Sequence, residues 1–258
     1  MSWDPATYLT FNDDRTRPAH DLLARVPSDA PHRVTDLGCG TGNSTALLAA
    51  RWPGAVIAGV DTSNAMLEKA RASGVAATWH TGDIAQWRAD APQDVIFSNA
   101  AIHWVDDHAD VLPRLLHQLA PAGVLAVQMP RNFAAPSHTL LRETIEETIE
   151  ETGNAALIDR LRPDPVAPSD TYYAMLAPHA AHLDIWETTY LHVLEGEDAV
   201  FTWTSGTALV PFTSAVEGEA RAQLIDSYRR KLARAYPQHP DGTTLFAFTR
   251  IFIVAARR

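Results

Sequence analysis

The ten residues Val34-Thr35-Asp36-Leu37-Gly38-Cys39-Gly40-Thr41-Gly42-Asn43 constrain this chain more than any other stretch. A short apolar strand runs into a glycine-dense turn, and a helix from Ser44 to Ala50 follows at once. Glycine in such a turn supplies positive φ and lets backbone approach a ligand that a Cβ would block. The spacing is G-x-G-x-G, so neither the dinucleotide fingerprint G-x-G-x-x-G nor a triphosphate loop ending in G-K-[ST] is matched. Asp36 stands before the turn, where a carboxylate attracts a cationic ligand head. Asp61 ends the next apolar strand, Ala55 to Val60, where an acid suits hydrogen bonds to two ribose hydroxyls.

Strands and helices alternate from Arg33 to Met129, the pattern of a doubly wound α/β sheet. Strands are expected near 33–37, 56–60, 76–80, 94–98 and 123–129. Thr62-Ser63-Asn64 caps a helix with Met66, Leu67 and Ala70 at apolar spacing. Pro113, inside the apolar stretch Val111 to Leu119, either opens a helix or kinks it. Pro136 to Thr152 reads as an acid-rich helix, and Pro163, Pro165 and Pro168 as an irregular connection rather than a domain boundary. A β-like stretch from about His182 to Val193, helices from Asp198 to Tyr236 and a strand from Leu245 to Ala256 complete the chain. A helical insert between the last two strands would lie over the carboxyl ends of the sheet, where open α/β folds bind ligands.

Composition excludes several classes. With 258 residues, 46% of them hydrophobic, the chain can bury a full core as one domain. No apolar run approaches the roughly 20 residues that span a bilayer, and the opening, with Asp4, Asp13 and Asp14, does not read as a signal peptide. A single cysteine cannot form an internal disulfide, which fits a reducing cytoplasm. A net charge of −10 disfavours nucleic acid, because phosphate binding wants clustered Lys and Arg on one face. Arg229-Arg230-Lys231, the densest basic run, reads as a solvated helix face. An acidic ligand would have to be bound by particular arginines against this background. The histidines are scattered without an H-E-x-x-H, and no G-x-S-x-G is present, so metal-dependent and serine hydrolysis are not expected.

The glycine turn resembles motif I of class I S-adenosylmethionine-dependent methyltransferases, and further motifs follow in order. Gly82-Asp83-Ile84 matches the adenine-edge acid, Asp94 to Asn99 the fourth strand, and Leu119-Ala120-Pro121-Ala122-Gly123-Val124-Leu125 the segment before the fifth. More specific segments resemble the trans-aconitate 2-methyltransferase family from end to end. They include Trp3 to Leu9 with Arg15-Thr16-Arg17-Pro18-Ala19, Asn99 to Trp104, Val124 to Pro130, Asp184-Ile185-Trp186 and Arg250 to Ala255. The stretch from about Gly153 to Ser169 matches least. The resemblance implies a Rossmann-like, seven-stranded, mostly parallel sheet in the order 3-2-1-4-5-7-6, strand seven antiparallel. It also implies one domain over 1–258, with a helical lid in residues 1–30 and a helical cap at about 197–240.

By the same resemblance the cofactor is S-adenosyl-L-methionine. Gly38, Cys39 and Gly40 pass its methionine part, Asp36 supports the ammonium, and Asp61 with Thr62 meets the ribose. Asp83 meets the adenine amino group, Met66 and Ile84 flank the ring, and Asn99 stands beside the sulfonium. Tyr8, Arg15 and Arg17 reach the methionine carboxylate. Bland readings stand beside these: Cys39 as a small buried side chain, Met66 as helix–sheet packing, Asp83 as a helix cap, and the N-terminal residues as surface groups paired with Asp13 or Asp14.

The implied substrate is a small polycarboxylic acid, and the product a monomethyl ester. Its binding calls for guanidinium forks and neutral donors, with candidates His103, Trp104, Arg131, Asn132, Trp203, Thr207, Tyr228 and Arg250. Trp203 is equally readable as core, and His103 as an ordinary loop histidine. A carboxylate acceptor is ionised at pH 7 and needs no general base; positioning and exclusion of water carry the reaction.

Three departures from the family fall at the expected pocket. Ala208-Leu209-Val210-Pro211 lacks the arginine of the usual G-L-R-P, Met129-Pro130-Arg131-Asn132 gains one over M-P-D-N, and His103 replaces a common glutamine. Either Arg131 and His103 replace a lost cationic anchor, or the substrate has drifted to a less charged acid. Other readings are a methyltransferase for a different small acid or a carrier-linked malonyl group, and a cofactor-binding module without catalysis. No metal, nucleic acid or membrane partner is expected; a monomer is compatible with the sequence.

Overall fold

The structure, a computed structural model, describes residues 12–158, 160–161 and 164–258. Helix α1 (Asn12–Ala24) precedes β1 (Arg33–Leu37), α2 (Asn43–Arg51), β2 (Val56–Asp61), α3 (Asn64–Ala72), β3 (Thr78–Thr81) and β4 (Gln93–Asn99). A 3-10 turn (Ile102–Trp104), α4 (His108–His117) and β5 (Leu119–Pro130) follow. The remainder comprises α5 (Pro136–Thr152), α6 (Ala155–Ile158), α7 (Ser169–Leu176), β6 (Ala180–Glu195), α8 (Ala199–Ser205), α9 (Val210–Thr213), α10 (Gly218–Ala235) and β7 (Thr243–Arg257).

These strands form one sheet in the order β3-β2-β1-β4-β5-β7-β6. The pairs from β3 to β5 are parallel and β5 pairs with β7 antiparallel, as the resemblance implied. Central strands β4 and β5 are buried nearly throughout, the mark of parallel strands covered on both faces. Local chemistry sets the element ends. Ser63 Oγ accepts from the Met66 N–H at the start of α3. In α5, Pro136 occupies the first turn, where its missing N–H costs nothing, and Gly153 closes the helix by donating to Ile149 O.

One boundary departs from the sequence expectation. β5 begins at Leu119, not 123, because Leu119 pairs with Gln93 across an irregular register before the regular ladder starts at Val95. Pro113 does not open α4 but lies inside it, the helix running from His108 to His117. The chain passes between two compact units after Asp164, so the proline-rich connection is also a unit boundary.

The sheet unit holds residues 13–130, 165–188 and 250–258. Its core is built from Leu37, Ile96, Phe97, Leu112, Leu125 and Phe252, each fully buried. The helical unit has 131–164 and 189–249 as its main segments, with a core of Ile145, Leu157, Trp203, Leu224, Tyr228 and Phe246. On its surface Lys231 pairs with Glu143 and Glu147 at 2.8 Å, and Arg229 with Asp198 at 3.3 Å. The basic run is thus a solvated helix face laced with ion pairs. No described helix is long and apolar enough to cross a membrane.

Candidate active site

β1 delivers the chain into the glycine turn, where Gly38 and Cys39 both donate their N–H to Val60 O, at 2.8 and 3.1 Å. The Asp61 carboxylate clamps the turn from the side: Oδ2 accepts from Gly40 N at 2.9 Å and Oδ1 from Ser63 N at 2.8 Å. Each oxygen keeps a second lone pair for a ligand.

The two glycines expected to pass the cofactor differ. At Gly38 (φ +75°) a Cβ would stand 2.1 Å from the Ala101 Cβ, so the fold itself excludes any side chain there. At Gly40 (φ +54°) a Cβ would meet nothing within 4 Å. The space at Gly40 is open, and backbone can approach a ligand there.

Asp36 is fully buried at the end of β1. Its Oδ2 accepts from Ser44 Oγ and Thr45 Oγ1, both at 2.7 Å, while Oδ1 has no partner. Burial pushes its pKa up to about 6, against the pull of the two hydroxyls and with a push from Asp61. Sequence reading missed Ser44 and Thr45, although both fall within the first helical turn after the glycines. The Cys39 thiol is buried, which raises its pKa and makes it inert, in line with the bland reading.

Around the turn, Thr62 is exposed and Met66 half-buried on α3. Asp83 is exposed, and its Oδ1 accepts from Ala85 N at 2.9 Å, so it shapes a turn and caps no helix. Ile84 is buried with its Cδ1 beside Gly38. Arg17 lies exposed on α1; Tyr8 and the Arg15 side chain are outside the described residues.

Asn99 ends β4, half-buried, with Oδ1 lacking a partner. Ala100 follows in the left-handed region (φ 53°) and donates to Gln128 O at 2.9 Å. The 3-10 turn then presents His103, half-buried, beside Trp104, which is 68% exposed. Burial first, then the Arg250 charge, lowers the His103 pKa to about 3. A neutral imidazole cannot stand in for a lost cation, so the expectation that His103 supplies a cationic anchor is corrected; it remains a neutral hydrogen-bonding group.

Arg250 is buried on β7 and donates from Nη1 to Gln128 Oε1 at 3.4 Å. That bond fixes the amide of Gln128, whose buried Nε2 has no partner. Gln128 was missed from sequence; its one signal is a polar residue in the otherwise apolar run Val124 to Met129.

Within the helical unit, Arg131 is half-buried and donates its N–H to Thr249 O at 2.8 Å. Asn132 is buried, with Nδ2 3.5 Å from His138 Nδ1 and Oδ1 lacking a partner. Thr207 is exposed, its hydroxyl turned back to Trp203 O at 3.5 Å. Trp203 packs among His192, Phe246 and Phe248 at centroid distances of 4.7, 5.8 and 6.1 Å, which is its core reading. Tyr228 is fully buried and its hydroxyl donates to Ser137 O at 2.6 Å. Both belong to the hydrophobic core of their unit, and the expectation that they position substrate is corrected accordingly. Among the described residues no three His, Cys, Asp or Glu side chains gather as metal ligands would.

A family model described as a methyltransferase domain matches residues 34–123. The YcgJ protein of Bacillus subtilis shares the fold at a TM-score of 0.59 and 17% identity, over 94% of this chain and 98% of that one. Haemonchus contortus phosphoethanolamine N-methyltransferase 2, solved with S-adenosyl-L-methionine, matches at a TM-score of 0.54 and 15% identity, over 94% of this chain and 53% of that one. The sheet order and the glycine turn define a Rossmann-like methyltransferase of class I.

The trans-aconitate 2-methyltransferase of Azoarcus sp. (strain BH72) is 45% identical over 256 residues, 99% of either chain. That of Paracidovorax citrulli (strain AAC00-1) is 47% identical over 262 residues, 99% of this chain and 98% of the other. This chain belongs to the trans-aconitate 2-methyltransferase family.

Proposed function

We propose that this protein methylates a carboxylate of trans-aconitate at the expense of S-adenosylmethionine, releasing the monomethyl ester and S-adenosylhomocysteine. The observation that carries the reading is 45–47% identity, over 99% of this chain, to relatives named for that activity. The residues present fit the cofactor on two counts: open space at Gly40, which a Cβ would fill, and the partnerless Oδ1 of buried Asp36.

S-adenosylmethionine, when bound, supplies an electrophilic methyl on a sulfonium. Gly40 keeps the turn clear for its methionine part, alongside Gly38 and Cys39, and ionised Asp36 balances the ammonium. Asp61, with Thr62 beside it, offers its remaining lone pairs to the ribose hydroxyls. Asp83 keeps Oδ2 for the adenine amino group, with Ile84 and Met66 beside the ring. Asn99 offers its unpartnered Oδ1 next to the reacting centre, and Tyr8, Arg15 and Arg17 hold the methionine carboxylate.

For the acid, Arg250 and Arg131 supply positive charge, and His103, Asn132, Thr207 and Trp104 supply neutral contacts. A carboxylate nucleophile carries its own charge, so no residue removes a proton. The protein contributes orientation and a site poor in water. Residues 1–30 and about 197–240 are the lid and cap of a single domain in this reading. The single cysteine supports a reducing compartment.

Transfer of labelled methyl from S-adenosylmethionine to trans-aconitate, cis-aconitate, citrate, isocitrate and simple monocarboxylates tests the reading. Strong preference for trans-aconitate is expected. Cofactor binding with no transfer to that acid would keep the fold and reject the substrate.

A further inference from the structure

The loop from Ala100 to Asp107 joins β4 to α4 and carries His103. It is an unusual loop to hold still, because it begins and ends on non-glycine residues in the left-handed region, Ala100 at φ 53° and Asp107 at φ 54°. Such residues cost free energy and persist only where the surroundings fix them. The first half is fixed twice: Ala100 N donates to Gln128 O at 2.9 Å, and Ala101 lies against Gly38. The second half is tied at Ile102.

There, buried His108 brings Nε2 within 2.9 Å of Ile102 O and Nδ1 within 2.8 Å of Tyr172 Oη. A carbonyl only accepts, so Nε2 carries the proton, and in a neutral ring Nδ1 is then the acceptor. Tyr172 therefore donates to His108, and its oxygen also accepts from Ala167 N at 3.2 Å. Fully buried Tyr172 stands on α7, so the relay runs from α7 through the start of α4 to the carbonyl just before His103.

We infer that His108 and Tyr172 are positioning residues for methyl transfer, holding the 100–107 loop so that His103 meets the acid acceptor, an inference that rests on the function proposed above. The relay acts on the acceptor side of the loop. Ala100 keeps its bond to Gln128 on β5 and Ala101 its contact with Gly38, so loss of the relay leaves the cofactor turn in place and releases the segment carrying His103.

The test uses three variants of the full chain. His108→Gln keeps a donor where Nε2 stands and loses the link to Tyr172. His108→Asn keeps an acceptor where Nδ1 stands and loses the link to Ile102. Tyr172→Phe removes the outer hydroxyl. The relay predicts about a tenfold fall in kcat/KM for the acid in His108→Asn, mostly through KM, and losses of only about threefold in His108→Gln and Tyr172→Phe. The dissociation constant of S-adenosylhomocysteine stays within about twofold in all three. Hydrogen exchange at the Trp104 and Val105 amides, which donate to Ala101 O and Ile102 O, accelerates more in His108→Asn than in His108→Gln.

Equal losses in the two His108 variants, following only their melting temperatures, would mean a structural role and overturn the proposal. So would weaker cofactor binding with an unchanged KM, or a nitrogen NMR signature placing the His108 proton on Nδ1. A wild-type enzyme inactive on every acid defeats the proposed substrate instead; the exchange rates and the tautomer then still decide whether the relay holds the loop.

Discussion

The glycine turn after β1 and the helices between β6 and β7 use their sequence-marked residues in opposite ways. In the turn, φ values, amide donors and the Asp61 clamp set the geometry, and side chains add little bulk. Among the helices, the marked residues are large, and packing claims them: Trp203 joins an aromatic cluster and Tyr228 spends its hydroxyl on Ser137. A conformation written in glycines reads the same in motif and structure, since Gly38, Gly40 and Gly42 all take the positive φ that such a turn demands. A role assigned to an aromatic side chain on a helix competes with the core, which needs the same residue types at the same spacing.

Trp203→Ala breaks the comparison if it is wrong. As a core residue it should lose about 3–5 kcal/mol of stability on truncation, read from urea unfolding. A loss near zero would return Trp203 to the pocket. Arg131→Ala sharpens the other side. If Arg131 anchors the acid, KM for trans-aconitate rises at least about tenfold, as for a charged hydrogen bond of roughly 1.5–3 kcal/mol. With His103 neutral, Arg131 is the one remaining candidate among the family departures to replace the cap arginine, and an unchanged KM would remove it.

Asp36 gives a smaller, graded effect of known sign. Its pKa is raised to about 6. Its contribution to stability is therefore fully present below the ordinary value of 3.8 and is lost as pH rises through about 6. Cofactor binding runs the other way, because the ammonium prefers the ionised carboxylate. Affinity should fall by up to about tenfold for each pH unit below about 6, and Asp36→Asn should flatten that limb of the titration. A flat profile in the wild type would show that Asp36 does not meet the cofactor charge.

Much of the fold was readable because each cue is local. The strand from Arg33 to Leu37, the Ser63 cap and the helix from Pro136 to Thr152 follow from neighbouring residues alone. Strand order came from the resemblance, since nothing local in β7 says which strand it joins. The left-handed Ala100 and Asp107 were invisible because alanine and aspartate do not announce positive φ as glycine does. The neutrality of His103 was hidden for another reason: it depends on burial and on Arg250, far away in sequence. Gln128 escaped notice because one polar residue in a buried strand reads as an exception until its amide is seen beside Arg250.

The most direct measurement is titration of S-adenosylhomocysteine into Gly40→Ala, with the melting temperature taken on the same sample. The added methyl would enter open space in the protein alone, so only a modest loss of stability is expected, about 1 kcal/mol for alanine at positive φ. The account predicts that this small loss accompanies at least about tenfold weaker binding, because the methyl stands where backbone must approach the ligand. Unchanged affinity in Gly40→Ala would contradict it, and would mean that the glycine turn serves the fold without forming the cofactor site.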